Sequence, residues 1–166
     1  MANAGAKAVF LLGRAVLGGY FIYNGINHFK NRQMMTQYAG SKHVPAANVA
    51  VPATGAMLLF GGTSLLLGLK PRHGALAIIA FLAGVSPMMH DFWKQTDSNQ
   101  RMAETVNIAK NMGLLGAALA LAGVERWPLS IAAENERDVY REAKETIKEY
   151  VPRSERVRRS IRKMVA

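Results

Sequence analysis

Apolar positions fill the first three quarters of the chain in four long blocks, and the last quarter replaces them with dense alternating charge. The blocks run over about Ala8–His28, Val49–Leu69, Gly74–Trp93 and Ala103–Val124. Each approaches or reaches the roughly 20 residues that a helix needs to cross a bilayer. Glycine occurs in all four, and small residues permit the close backbone packing on which helix association in lipid depends. The pattern predicts an all-α, polytopic membrane four-helix bundle over residues 1–124. Lys7 ahead of the first block resembles a signal peptide, but Arg14 interrupts the apolar run and no small-residue cleavage site follows, so the block reads as a retained span.

Between the first two blocks, residues 29–48 form a long connection. Its Met34-Met35-Tyr38 cluster suits a short helix on the surface, with Gly40 and Pro45 marking its end. Pro87 lies one turn before His90 and is expected to kink the third span or loosen its last turn. Phe92, Trp93 and Trp127 read as aromatic anchors at the membrane interfaces.

Residues 125–166 read as a charged helical tail. Ser130 is a suitable N-cap. Opposite charges then recur at helical spacing (Asp138, Arg141, Glu145, Lys148) beside a narrow stripe of Val139, Ala143 and Ile147. Beyond Pro152, Arg153, Arg156, Arg158, Arg159, Arg162 and Lys163 interleave with Val157, Ile161 and Met164, a basic amphipathic pattern suited to anionic inner-leaflet lipid. Nucleic acid is the weaker partner, because no aromatic or fold motif accompanies the charge.

Composition explains why the average hydropathy sits near zero: two unlike parts are being averaged. The tail holds 11 of the 21 Lys and Arg and 8 of the 11 Asp and Glu, so the net charge of +10 is partly its property. With four spans both termini share a side, which also holds Lys7, Lys70, Arg72 and the tail. The opposite side holds Lys30, Arg32, Lys42, Lys94 and Arg101. The positive-inside rule then predicts both termini in the cytoplasm, in a membrane of the bacterial inner type. The absence of cysteine excludes disulfides, thiol relays and Cys-ligated metal or iron–sulfur centres.

That topology gathers the in-membrane polar residues at one level. Tyr20, Tyr23, Asn24, Asn27 and His28 share one face of the first span, and Glu104, Asn107, Lys110 and Asn111 share one face of the fourth. His90 and Asp91 arrive at the end of the third. Such residues are unfavourable against lipid and should converge inside the bundle near its outer end. They form either structural glue, with Asp91 paired to Lys110 or His28, or a pocket for a quinone headgroup, in which a histidine with a carboxylate partner also moves protons. Haem between His28 and His90 ranks well below quinone, and no metal site is expected. His43 and His73 fall in solvated connections. Arg14, near the opposite end, is expected to snorkel to the inner interface or to meet a lipid phosphate or a partner carboxylate.

Several short pieces then fall in a recognisable order: Gly13-Arg14, Gly25 to Phe29, Tyr38 to Pro45, Gly61-Gly62, Leu67-Gly68-Leu69, His90-Asp91-Phe92-Trp93, Lys110-Asn111 and Leu114-Leu115-Gly116. In these pieces the chain resembles the DoxX family of small four-helix membrane proteins, over about residues 8–124. The resemblance implies a redox association, since the family takes its name from a membrane subunit of a thiosulfate:quinone oxidoreductase, and other members look like membrane partners of oxidative-stress enzymes. It transfers no catalytic residue. The leading expectation is an accessory or anchoring subunit of a membrane redox complex, with a protein partner or a second copy of itself. The alternatives are a quinone-interacting oxidoreductase subunit, or a carrier or assembly factor for lipids or membrane proteins.

Overall fold

A computed structural model describes residues 4–124 and Trp127, and its secondary structure is entirely helical. Apart from Trp127, the charged tail of 125–166 and its basic residues lie outside the described part. The helices are α1 (Ala4–Lys30), α2 (Arg32–Ser41), α3 (Ala47–Leu67), α4 (Pro71–Met89) and α5 (Ser98–Ala122), with a 3-10 turn at Phe92–Lys94. Four are long and apolar enough to cross a membrane: α1, α3, α5, and α4 with the turn that follows it.

Local chemistry explains where each helix begins and ends. Asp97 caps α5 by accepting from the Gln100 N–H at 2.8 Å. Gly68 ends α3 in the left-handed conformation at φ 71°, which a residue without Cβ adopts freely, and Pro71 opens α4 where its missing N–H removes no helical bond. Pro52 lies inside α3 and cannot donate to the carbonyl one turn earlier, at Asn48. That oxygen instead accepts from Arg32 Nη2 at 3.2 Å, so an α2 side chain replaces the lost bond. The expected effect of Pro87 is a loosened last turn: α4 stops two residues later and the chain tightens into the 3-10 turn.

Packing runs in the order α1, α3, α4, α5, with α3 central and α2 laid against α3 and the end of α1. The α1–α3 seam is unusually close. A Cβ on Gly18 would lie 2.8 Å from the Gly62 carbonyl oxygen, and one on Gly62 would lie 2.7 Å from that of Gly18. One turn pair along, Gly25 and Gly55 repeat the contact. Gly61, beside Gly62 in sequence, faces α4 instead and receives Ile78 and Gly74. Adjacent glycines thus let α3 be approached from two sides.

By contrast, α1 and α5 make no extended contact with each other. Towards the start of α1 the gap between them is filled by Trp127, whose ring meets Phe10 edge-on at 5.3 Å and belongs to the core with Phe21, Leu58, Leu65, Ile78 and Ala118. Trp127 is therefore a core residue, 7% exposed, and not the interfacial anchor expected of it. Arg14 is 3% exposed: Nε donates to the Leu65 carbonyl and Nη2 to that of Leu66, both at 2.9 Å, with the guanidinium over the Trp127 ring. Those carbonyls lie in the last turn of α3, where no backbone N–H is left to satisfy them and where the helix dipole favours a cation.

Candidate functional site

Towards the end of α1, away from Trp127, the bundle forms a half-open cavity of about 300 Å³. Its walls are mostly apolar and come from every long helix, with Phe21 of α1, Val51 of α3, Phe81, Leu82 and Val85 of α4, and Leu114 of α5. The short helix α2 adds Met35, Tyr38 and Ala39. Asn24, His28, His90, Lys110 and Asn111 supply the polar groups, together with Tyr20, Tyr38 and Thr54. An apolar enclosure with a few convergent polar atoms is the usual form of a small-molecule site.

Of the eleven residues expected to converge, six line this cavity (Tyr20, Asn24, His28, His90, Lys110 and Asn111) and five do not (Tyr23, Asn27, Asp91, Glu104 and Asn107). Asn24 donates to the Tyr20 carbonyl at 2.8 Å, and His28 Nδ1 donates to the Asn24 carbonyl at 2.8 Å, its ring edge-on to Phe81. Asn111 reaches across to Ser86 Oγ at 3.1 Å, joining α5 to α4. Lys110 donates to Asn107 on its own helix at 3.2 Å, and so holds Asn107 at the margin. Tyr23 is 70% exposed and points away from the cavity. Asn27 accepts from Asn31, closing the turn between α1 and α2. Asp91 stands beyond His90 in a separate ionic cluster. Phe92 and Trp93 pack edge to face at 5.1 Å, with Trp93 half exposed.

The partner of Asp91 is neither Lys110 nor His28. It is Lys42, from the connection between α2 and α3, whose Nζ lies 2.9 Å from Asp91 Oδ1 and 3.1 Å from Glu104 Oε1. Glu104 uses its other oxygen to hold His90 Nδ1 at 2.8 Å, and Gln95 donates to Asp91 at 3.1 Å. Residues 1–124 contain only three carboxylates, Asp91, Asp97 and Glu104, and Lys42 takes two of them. The cluster ties the end of α4, the start of α5 and the α2–α3 connection together at the rim of the cavity. Among the described residues no carboxylate pairs with Lys110, which sits six residues along α5 from Glu104, about 9 Å deeper. Nor does any group of three or more His, Asp or Glu among them form a metal site.

Lys42 lies outside the spanning helices, and its ammonium titrates above the ordinary value of 10.5. The hydrogen bond to Asp91 is the largest cause; burial opposes it and Glu104 adds to it. Since the folded pKa exceeds the unfolded one, the contribution is complete below the unfolded value and disappears as pH rises through the folded one. The melting temperature of the detergent-solubilised protein should therefore exceed that of Lys42→Met by a constant margin from neutral pH to about 10 and converge with it above that. Lys42→Arg should hold its margin further into the alkaline range. A margin unchanged through pH 12 in the wild type would show that the ion pairs contribute nothing to stability.

Residues 9–91 match the DoxX family model, half of the chain, spanning α1 to α4 and ending at Asp91. Glu104, Lys110 and Asn111 on α5 lie beyond the match. No curated protein and no solved structure matches the chain. The four apolar helices and the family match together make this an integral membrane protein, and the chain belongs to the DoxX family.

Proposed function

We propose that this chain is a quinone-interacting membrane subunit of a larger redox assembly, with both termini on the cytoplasmic side of a bacterial inner membrane. The cavity between α1 and α5 is the observation that carries the reading. Its volume suits a substituted ring, its apolar walls suit a ligand that partitions into lipid, and the open seam between α1 and α5 gives an isoprenoid tail a way out. The orientation rests on the charge count of the connections.

The accessory role has its own support. Among its described residues α5 buries only Ala118, and a Cβ at Gly113 or Gly116 would meet nothing within 4 Å, so most of the helix is free for lipid or a neighbouring subunit. The charged tail is the natural contact for an aqueous partner or for anionic lipid.

Filling the cavity tests the pocket. The full chain in lipid nanodiscs should bind 2-methyl-1,4-naphthoquinone, and Val85→Trp should weaken that binding at least about tenfold while the protein remains monodisperse, because the indole occupies the ring's volume. Unchanged binding by a well-folded Val85→Trp would remove the cavity from consideration. Gentle purification from native membranes tests the assembly: stoichiometric redox proteins are expected beside the chain, and their absence would leave it acting alone.

A further inference from the structure

Resting on the reading of the cavity as a ring-binding site, we infer that it favours the reduced, hydroxyl-bearing form of its ligand, a membrane quinol, over the quinone. The argument comes from the tautomers of the two cavity histidines. His28 Nδ1 faces the backbone carbonyl of Asn24 at 2.8 Å, and a carbonyl oxygen only accepts, so the ring proton is on Nδ1. His90 Nδ1 faces the carboxylate of Glu104 at 2.8 Å, which fixes the same tautomer. With Nδ1 carrying the proton, the neutral form of either ring leaves Nε2 as a bare acceptor, and neither Nε2 has a hydrogen-bond partner among the described residues.

A quinone carbonyl is also an acceptor. It can take a hydrogen bond from Lys110 but can give nothing to either imidazole, so binding it leaves Nε2 desolvated and unpaired. A quinol hydroxyl donates to Nε2 and still accepts from Lys110. The tyrosine hydroxyls at Tyr20 and Tyr38 rotate to serve either form and do not discriminate. Sites built to accept from a ligand hydroxyl reject analogues lacking it, because a buried polar group is then stranded.

Anaerobic titration of the full chain in nanodiscs tests this, using 2-methyl-1,4-naphthoquinone and its dithionite-reduced quinol as the two probes. The quinol should bind about tenfold tighter, the scale of one stranded acceptor. His28→Phe and His90→Phe, checked for monodispersity, should each move the ratio towards one, by weakening the quinol and by sparing the quinone the cost of a stranded acceptor. Equal affinities in the wild type, or a tighter quinone, would overturn the preference and leave the pocket standing. Binding of neither form would overturn the pocket reading, and the preference with it.

Discussion

Gly62→Ala should destabilise the bundle by about 2–3 kcal/mol, and Gly62→Leu should prevent it from accumulating in the membrane. The added Cβ would meet the Gly18 carbonyl oxygen at 2.7 Å and the Ile22 backbone nitrogen at 2.8 Å. Both are backbone atoms, so no rotamer change relieves the overlap and α1 must move away from α3 as a body. That movement would also open the Gly25–Gly55 contact, where a Cβ on Gly55 would already press on His28 at 2.8 Å, and so would disturb the cavity wall. Gly19→Ala is the control. It lies on the same helix as Gly18, one residue on, and a Cβ there meets nothing within 4 Å, so its melting temperature should equal or exceed that of the wild type. Melting of both variants in the same detergent decides the matter: if Gly62→Ala melts with Gly19→Ala, the α1–α3 seam is looser than the structure has it.

The same glycines show what the sequence could convey. Their abundance in every apolar block announced close helix packing, but not which of them meet. Gly18 and Gly19 are indistinguishable as letters, yet one faces α3 and the other meets nothing within 4 Å, because each step around a helix turns the side chain by about 100°. The four spans were legible because a bilayer demands long apolar blocks, whereas their ends were shifted by several residues. The apolar pattern reports the stretch matched to hydrocarbon, while the helix continues into polar sequence until a cap stops it. Thus α5 begins at Ser98 behind Asp97, and not at Ala103.

At the cavity, His28, His90, Lys110 and Asn111 were legible for a similar reason: polar residues at helical spacing in an apolar block have to face inward. Lys42 was not. It sits in a polar connection among other polar residues, and its pairing with Asp91 and Glu104 spans 49 and 62 positions of sequence. The scarcity of carboxylates before residue 125 was the available signal, since a connection lysine on the same side had few other acids to meet. The histidines carried a different ambiguity. Two imidazoles near one pocket were readable from the chain, but which ring nitrogen is left for a ligand depends on the partners of Nδ1, the Asn24 carbonyl and the Glu104 carboxylate, and only the fold supplies those.

Arg14→Leu should lower stability by about 3 kcal/mol, and Arg14→Lys should recover only part of it. The guanidinium directs separate N–H groups at two successive carbonyls, Leu65 and Leu66, while its face lies 5.3 Å from the centre of the Trp127 ring. Leucine fills the volume but strands two oxygens inside the protein, each worth about 1–3 kcal/mol when buried, of which relaxation of the last helical turn recovers some. Lysine keeps the charge opposite the negative end of α3 but has neither the planar fork nor the flat face that stacks on indole. The stack gives a second readout. In a Trp93→Phe background Trp127 is the one remaining tryptophan, and its emission should shift to longer wavelength in Arg14→Leu as Phe10 and the indole lose their common packing. A variant Arg14→Lys that melts with the wild type and keeps its emission would show that charge alone suffices at this position. The double failure expected of Arg14→Leu would mean that one arginine, 51 and 52 residues from the carbonyls it satisfies, holds both the last turn of α3 and the packing of Trp127.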